Sequence, residues 1–497
     1  MGEHERIERQ HAKGKLTARE RIDLFVDADS FVETERHVVG RTDAFGLGAK
    51  LEEGDGVITG SALVGGRQVW LAAQDFTVLG GSLGEMHAKR IAHAIETAVR
   101  TRTPFIQIND SGGARIQEGI LSLHGYGEIF RANTLASGVV PQVSVILGPC
   151  AGGAVYSPAI TDVVLTVEGV STMYITGPDV VREVTGEEVT HEELGGADAH
   201  SAASGVAHAA FESEAACFAW LRRLLGFLPA SSADRPPIGP TDDSPDRLTP
   251  ELGELIPADG HAAYDVHDVI AVLADDGAFH EIHARWARNV VVGFARLAGR
   301  SVGVIANQPS VLAGALDIDA SDKAARFVRF CDAFSVPIVS LADVPGFLPG
   351  VAQEHGGIIR HGAKLLYAIA EATVPKVALI VRKAYGGAFI TMASKGLGYD
   401  RVLALPTAQV AVMGPEGAAS IVFRREIAAA CDPEAERARR VAEFARTVSD
   451  PRVAASYGQI DLVIEPERAR RELVRSLEVL AAKHEDRPPR KHGNFPA

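Results

Sequence analysis

The sequence predicts an α/β protein built from two duplicated domains, and three observations support this fold class. Strand-like apolar runs alternate with helix-like stretches along most of the 497 residues, which is typical of layered α/β domains. One segment occurs twice, as PQVSVILGPCAGGA in residues 141–154 and as PKVALIVRKAYGGA in residues 375–388. The span between Arg131 and Asp162 carries no charge, which indicates buried core strands. We therefore expect two domains that share one fold.

The duplication extends upstream of the repeated segment in one constant register. The matching residues are Gly60 with Gly293, Gly66-Arg67 with Gly299-Arg300, Val78-Leu79 with Val311-Leu312, Pro104 with Pro337, and Asp110 with Asp343. Chance does not hold one register over such a distance. We place the first domain in residues 1–228, a linker in residues 229–257 and the second domain in residues 258–497.

The composition excludes several classes of protein. Hydrophobic residues make up 46% of the chain, which is enough for large cores, and the net charge of −14 argues against a nucleic-acid partner. The four cysteines lie far apart, so neither a disulfide framework nor a zinc ribbon is indicated. The uncharged span of residues 132–161 is interrupted by prolines and glycines, which favours a soluble core over a membrane helix. We expect a cytoplasmic protein without signal peptide, membrane segment or metal.

The first half yields its elements in order. Residues 1 to about 27 are predicted to form one amphipathic helix with a solvated cationic face. Short strands ending in turn glycines follow, then a helix over residues 84–101. FIQINDSGGAR predicts a buried strand and a glycine loop, and a further helix is expected over residues 121–136.

The repeated Gly-Gly-Ala turn is the strongest candidate for a functional site. Gly152-Gly153-Ala154 follows the apolar run Val143–Leu147 and carries no bulky side chain. A strand that enters such a turn at the start of a helix presents free backbone N–H groups, which suits a developing oxyanion. A tight core turn is the alternative for a single copy. The second copy, in RKAYGGAFITMAS, favours the functional interpretation.

The second half repeats the scheme after a proline-rich stretch. Residues 229–257 contain seven prolines, which is typical of a linker. VGVIANQP and PIVSLADVPGFLPG then predict strands, with helices after Ala320 and over residues 358–372. An arginine-rich helical tail is expected from about Glu426.

Several motifs together resemble one family across nearly the whole chain. In chain order they are GKLTARERIDLFVD, SGGARIQEG, GPCAGGAVYSPAITD, ITGPDVV, EELGG, VLAGALDIDASDKAARFVRFCDAF, DVPGFLPG, RHGAKLLYAIAEATVPK, RKAYGGAF, PTAQVAVMGPEGA and RKHGN. The sequence is similar to the carboxyltransferase (beta) subunits of biotin-dependent acyl-CoA carboxylases of the propionyl-CoA carboxylase type. The resemblance implies two crotonase-like (ClpP/crotonase) spiral domains and an enzyme of the ligase or transferase class.

The resemblance also implies the reaction and its partners. A carboxyl group moves from carboxybiotin, held on a separate carrier protein, to the α-carbon of an acyl-CoA through a thioester enolate. Partner subunits supply biotin carboxylase and the biotin carrier. The active unit is a head-to-tail homodimer, commonly within a homohexamer. The α-carbon proton passes to the biotin nitrogen, so no protein general base is required.

The resemblance assigns roles to individual residues. Gly152 and Gly153 would hold the thioester oxygen, and Gly387 and Ala388 the biotin ureido oxygen. The residues themselves suggest further candidates, which are acyl-CoA binding by Ser111, Gly112, Gly113, Ala114, Lys13, Lys15 and Arg19, and a biotin-binding wall of Asp343, Val344, Pro345, Gly346 and Phe347 that matches the first loop in position. For the SGGA loop the alternative is an ordinary loop after a strand. For the cations, together with Arg21, it is a solvated helix face.

One stretch departs from the family pattern. Members of the propionyl type commonly have GGAYD where this chain has GGAFI, so Phe389 replaces a tyrosine and Ile390 an aspartate. An apolar wall at the acyl pocket would favour longer acyl chains. The alternative is that Ile390 packs in the core.

Three other functions remain open at this point. A decarboxylase or transcarboxylase subunit of the same superfamily would run the transfer from a malonyl-type thioester. A non-catalytic scaffold subunit would need neither Gly-Gly-Ala turn. A simple crotonase hydratase would need acidic residues in the acyl pocket and only one domain.

Overall fold

The computed structural model describes residues 3–497 of the chain. They fall into two compact units, and the chain passes from the first to the second between Arg235 and Pro236. This boundary lies inside the proline-rich stretch of residues 229–257. Each unit holds one eight-stranded sheet with helices, so the predicted α/β class is confirmed.

The first unit alternates strands and helices around its sheet. Its strands are β1 Val32–Thr34, β2 Val57–Val64, β3 Arg67–Gln74, β4 Phe105–Ser111, β5 Gln142–Ala151, β6 Val163–Val167, β7 Thr172–Tyr174 and β8 Ala209–Phe211. Its helices are α1 Glu3–His11, α2 Ala18–Phe25, α3 Glu85–Thr101, α4 Ile120–Ala136, α5 Tyr156–Ile160, α6 Pro178–Thr185, α7 His191–Gly195 and α8 Glu214–Phe227.

The second unit follows the same scheme and ends in helices. Its strands are β9 Phe279–Ile282, β10 Val290–Leu297, β11 Arg300–Asn307, β12 Ile338–Val344, β13 Lys376–Tyr385, β14 Arg401–Ala404, β15 Gln409–Ala411 and β16 Leu462–Val463. Its helices are α9 Leu252–Leu255, α10 Val266–Leu273, α11 Ile318–Ala333, α12 Val351–Gly356, α13 Ile358–Glu371, α14 Gly386–Ala393, α15 Pro415–Val422, α16 Arg424–Ala429, α17 Pro433–Phe444, α18 Pro451–Ser456 and α19 Ala469–Val479.

The two sheets have the same topology. The first runs β1-β2-β3-β4-β5-β6-β8 with β7 paired to β5, and the second runs β9-β10-β11-β12-β13-β14-β16 with β15 paired to β13. The β4–β5 and β12–β13 pairs are parallel, and each shifts register at its end, after Asn109 and after Ala342. Since both the order and the irregularity repeat, the internal duplication is confirmed at the level of the fold.

The central strands read as continuous apolar runs because both faces of a parallel sheet are covered. Every residue of β4 and of β12 is buried. In the first unit, Ile91, Ile95 and Ile129 on α3 and α4 belong to the same core cluster as residues of the sheet. The predicted helices over residues 84–101, 121–136 and 358–372 are all present.

The amino-terminal prediction of one helix is wrong. The chain forms α1 and α2 instead, separated at Gly14, whose φ of 71° is left-handed and suits glycine. Thr17 then starts α2 with a capping box that includes Glu20. The solvated cationic face is also wrong for two members, since Lys15 and Arg21 are buried.

From Pro236 onwards, the proline-rich stretch is attached to the second unit rather than extended through solvent. The backbone N–H of Gly239 donates to the Gly299 carbonyl over 2.8 Å, and the N–H of Thr249 donates to the Glu467 carbonyl over 2.7 Å. This stretch also contains the short helix α9. Across residues 3–497, no helix has the length and apolar character required to cross a membrane.

Candidate functional site

Both Gly-Gly-Ala turns connect a buried parallel strand to a helix. In the first unit β5 enters a 3₁₀ turn at Gly152–Val155, which α5 continues, and in the second unit β13 leads directly into α14. Gly152 and Gly386 have φ values of 61° and 59°, a conformation that glycine adopts without strain. The first N–H groups of a helix have no intrahelical acceptor, so each turn offers donors to a bound oxygen.

The pair of amides assigned in the second unit is shifted by one residue from the pair that the duplication would match to the first unit. In the repeated register Gly152 matches Gly386, Gly153 matches Gly387, and Ala154 matches Ala388. The residues predicted to hold the two oxyanions are therefore not strict equivalents. Gly153 and Gly387 are the two assigned residues that do correspond.

The surroundings of these two glycines are different. A Cβ at Gly153 would lie 3.0 Å from Cδ2 of Tyr126, which is tighter than normal packing, whereas a Cβ at Gly387 would meet the Phe347 ring at 3.7 Å. Gly387 is exposed, and Tyr126 is buried. Replacement of Gly153 by valine must therefore displace the Tyr126 ring as well as crowd the turn.

The two glycine-containing loops also occupy matching positions. Ser111–Ala114 follows β4, and the Gly113 carbonyl accepts the N–H of Leu83 over 2.9 Å. Val344–Phe347 follows the end of β12, and the Gly346 carbonyl accepts the N–H of Leu316 over 3.1 Å. Each loop is thereby fixed beside its sheet. Phe347 lies close to Gly387, so the second loop and the second turn adjoin each other within their unit.

A buried carboxylate stands at the start of each of these loops. Asp110 accepts hydrogen bonds from Lys15 Nζ at 2.7 Å and from Arg21 Nη1 at 2.8 Å. Asp343 accepts one from Arg382 Nε at 3.0 Å and one from the Tyr264 hydroxyl at 3.0 Å. The sequence assigned no role to Asp110, and it gave Asp343 only a place in the biotin-side wall. The signal was present, because the two residues match in the duplication.

A second buried ion cluster supports the first loop. Arg115 Nη1 donates to Asp55 Oδ1 at 2.6 Å and to Glu118 Oε1 at 2.8 Å, and all three residues are buried. Burial raises the pKa of Asp55, although Arg115 opposes the shift. Burial and, secondarily, Arg115 lower the pKa of His87 to about 3, so that this imidazole is neutral. The cluster stabilises the loop through ion pairs between buried side chains.

A basic pocket lies beside the first loop. Its volume is about 720 Å³. It is lined by Arg6, Arg9, Gln10, Lys13, Ala49, Lys50, Glu52, Phe76, Thr77, Leu79 and Gly80. Gly80 accepts the Gly112 N–H at 3.0 Å, which joins the pocket to the first loop. The four cationic side chains of the lining outnumber its one carboxylate, Glu52, so the pocket suits a ligand that carries several negative charges.

The three cations predicted to bind acyl-CoA in the amino-terminal region, Lys13, Lys15 and Arg19, lie in three different environments. Lys13 lines the basic pocket. Lys15 is buried against Asp110, and burial lowers its pKa. Arg19 lies at the surface and pairs with Glu33 at 2.8 Å. Arg6 and Arg9 were missed as pocket residues, because the single long helix expected there did not show which cations share a face.

The two residues that depart from the family pattern lie on the first turns of α14. Ile390 is 45% exposed, and Phe389 is partly buried. The alternative that Ile390 packs in the core is therefore wrong within its unit. Its position after Gly387 puts it beside the second turn.

Metal and thiol chemistry find no support at these sites. Over residues 3–497, no group of three histidine, cysteine or acidic residues is arranged to hold a metal ion. Cys150 precedes the first turn, but burial raises the pKa of its thiol to about 12. His361 Nδ1 lies within hydrogen-bonding distance of Asp322 Oδ2, at 2.8 Å.

Comparisons with known proteins agree over almost the full length. Residues 9–495 match the family model described as the carboxyl transferase domain. The chain is 54% identical to the methylmalonyl-CoA decarboxylase subunit alpha of Veillonella parvula, over 100% of this chain and 96% of that one. It is 53% identical, with the same coverage, to the propionyl-CoA carboxylase carboxyltransferase subunit of Haloferax mediterranei. It superposes on the hexameric transcarboxylase 12S crystal structure with methylmalonyl-CoA bound, with a TM-score of 0.97, 51% identity, and coverage of 99% of this chain and 94% of that one.

Proposed function

Because the chain belongs to the carboxyl transferase domain family, we propose that it transfers a carboxyl group from carboxybiotin to the α-carbon of propionyl-CoA or a somewhat longer acyl-CoA. The fold is a pair of crotonase-like domains, as in its relatives. The chain is an enzyme that carries out carboxyl transfer on acyl-CoA.

The observation that carries the proposal is the pair of open turns at matching positions in the two units. The transfer creates two oxyanions, one on the thioester as its enolate forms and one on the biotin ureido group as the carboxyl group leaves. A backbone donor aimed at such a charge is worth about 100- to 1000-fold in rate. We assign the thioester oxygen to Gly152 and Gly153, and the ureido oxygen to Gly387 and Ala388. A scaffold subunit would need neither turn.

The acyl-CoA side of the reaction is assigned to the first unit. Its basic pocket supplies Arg9, Lys13 and Lys50 for the phosphates of the nucleotide, together with Arg6, whose guanidinium is paired with Glu52 at 2.6 Å. The loop of Ser111, Gly112, Gly113 and Ala114 lies between this pocket and the first turn. Lys15 contributes by holding Asp110, and we assign Arg19 to the same acyl-CoA side at the surface.

The biotin side is assigned to the second unit. Val344, Pro345, Gly346 and Phe347 form the wall next to Gly387, and Phe389 and Ile390 border the acyl chain. Biotin reaches this wall as a substrate on a separate carrier protein, which is loaded by a biotin carboxylase. Each site then requires the first unit of one subunit and the second unit of another, so we propose a homo-oligomer built from head-to-tail dimers, with the hexamer as its full form.

Two further assignments extend the proposal. The division into an acyl-CoA domain of residues 1–228, a linker of residues 229–257 and a biotin domain of residues 258–497 follows the duplication. A cytoplasmic location agrees with four cysteines that are all free thiols.

A second candidate function is decarboxylation of a malonyl-type thioester, with the carboxyl group passing to biotin. The relative from Veillonella parvula, named as a methylmalonyl-CoA decarboxylase subunit, favours it at 54% identity. The same two turns serve both directions, since the oxyanions are the same.

Purified protein with carrier and biotin carboxylase subunits tests the choice. We expect ATP- and bicarbonate-dependent carboxylation of propionyl-CoA. Consumption of methylmalonyl-CoA, with no carboxylation under any ratio of substrates, would assign the decarboxylase function instead. No transfer in either direction, with the assembled complex verified by light scattering, would refute the proposal.

A further inference from the structure

The two buried carboxylates, Asp110 and Asp343, are paired with cations from different parts of the fold. Asp343 is held by Arg382, which lies on the neighbouring strand β13 of the same sheet. Asp110 is held by Lys15 and Arg21, which belong to the amino-terminal segment outside the sheet. The position that matches Arg382 is Gly148, where an added Cβ would lie 1.9 Å from Asp110 Oδ1 and 2.6 Å from Lys15 Nζ. The amino-terminal segment therefore fills, beside Gly148 of β5, the space that the Arg382 side chain of β13 fills in the second unit.

This segment touches the ends of both strands that lead into the first site. Arg21 Nη1 donates to Asp110, directly before the Ser111–Ala114 loop, and its Nη2 donates to the Leu147 carbonyl at 2.7 Å, shortly before the first turn. Glu214 on α8 accepts two further bonds from the same guanidinium, at 2.8 and 2.9 Å. Arg21 is fully buried, so its position is fixed by these partners.

The same segment lines the basic pocket. Gln10 is a pocket residue, and its Nε2 donates to Asp110 Oδ2 at 3.1 Å. Lys15 Nζ lies 4.5 Å from the ring centroid of Phe76, which is another pocket residue. A continuous set of contacts thus leads from the pocket, through Gln10 and Lys15, to Asp110 and the loop after it.

We propose that Asp110, held by Gln10, Lys15 and Arg21, is a positioning residue that couples a ligand in the basic pocket to the geometry of the first oxyanion site. The inference rests on the proposed acyl-CoA function. Nucleotide phosphates bound in the pocket fix α1 and the turn after it, and through Asp110 they fix the Ser111–Ala114 loop. Part of the binding energy of the nucleotide then raises kcat instead of lowering KM.

The experiment compares two acyl donors that differ only in the nucleotide. Propionyl-CoA fills the pocket, and propionyl-pantetheine leaves it empty. In the wild-type complex we expect kcat with propionyl-CoA to exceed kcat with propionyl-pantetheine by roughly tenfold or more, the scale of a hydrogen bond to a charged group. In Gln10→Leu and in Lys15→Met this ratio should fall towards one, mainly through loss of kcat with propionyl-CoA.

Two variants distinguish coupling from general damage. Lys15→Arg restores the cation and should recover most of the ratio. Tyr264→Phe removes the corresponding hydrogen bond to Asp343 in the second unit, and it should lower kcat for both donors by the same factor. Circular dichroism and light scattering verify that each variant is folded and assembled.

The outcomes separate the two proposals. A wild-type ratio near one, or a ratio unchanged in both Gln10→Leu and Lys15→Met, overturns the coupling while the carboxyl transfer stands. Wild-type protein without turnover of either donor overturns the carboxyl transfer and the coupling with it. A reduced ratio that Lys15→Arg restores supports the coupling.

Discussion

Replacement of Gly387 by valine separates the chemistry of the second turn from its folding. A Cβ at this position would meet the Phe347 ring at 3.7 and 3.8 Å, which is ordinary van der Waals contact. Its backbone is not among the left-handed residues, and the residue is exposed on the first turn of α14. The variant should therefore fold normally while its side chain crowds the amides of Gly387 and Ala388.

The expected magnitudes differ for stability and for catalysis. Glycine and valine differ by less than about 1 kcal/mol in helix propensity, so the free energy of unfolding should change by no more than that. Exclusion of the ureido oxygen from one donor should lower kcat about 100- to 1000-fold. Gly153→Val, by contrast, pushes against Tyr126, and such overpacking adds a loss of about 1 to 3 kcal/mol in stability.

The assay measures carboxylation of propionyl-CoA by the complete complex, together with urea unfolding of each variant. A loss of kcat at unchanged stability for Gly387→Val, and a loss of both for Gly153→Val, is the expected result. Gly387→Val with near wild-type kcat would show that the second turn does not bind the oxyanion.

Three further predictions follow from the pocket, the acyl wall and a buried histidine. Lys13→Met should raise KM for propionyl-CoA about tenfold, an effect that high salt should shrink, as initial-rate kinetics at two ionic strengths would reveal. The wild type should accept acyl chains longer than propionyl. Ile390→Asp should shift the preference in kcat/KM back towards acetyl- and propionyl-CoA, by roughly fourfold for each methylene group. An unchanged ranking of the substrates from acetyl- to hexanoyl-CoA would contradict the assignment of Ile390 to the acyl pocket. Because the pKa of His87 is lowered to about 3 in the folded state, the unfolded chain binds a proton between pH 6.5 and 3 that the folded protein does not bind. The free energy of unfolding should therefore decrease as the pH falls through that window, by at most about 5 kcal/mol. His87→Gln should flatten this acid limb in urea titrations, and an identical pH profile would contradict it.

The repeated segment predicted most of the fold because it contains both the core strand and the turn that follows it. A buried parallel strand has a long apolar sequence, and a turn with a left-handed residue needs glycine, so β5 and Gly152 were both visible. The same holds for β13 and Gly386. The duplication then extended the prediction to the second unit.

The amino-terminal region was predicted less well because periodicity does not show what a helix packs against. Lys15 and Arg21 have the spacing of a solvated face, yet both are buried by partners distant in sequence, Asp110 and Glu214. Only the match of Asp110 with Asp343 hinted at a buried carboxylate that needs a cation. Gly148 was the complementary signal, since it leaves room where the other unit has an arginine.

Transfer of labelled carboxyl from the biotin carrier tests the central claim most directly. Carrier protein loaded with ¹⁴C-carboxybiotin is mixed with this protein and propionyl-CoA, without ATP or biotin carboxylase. The account predicts that the label appears in the carboxylated acyl-CoA, and that Gly387→Val reduces this transfer about 100-fold or more. Label that stays on the carrier or is released only as CO₂, with wild-type protein assembled as an oligomer, would contradict it.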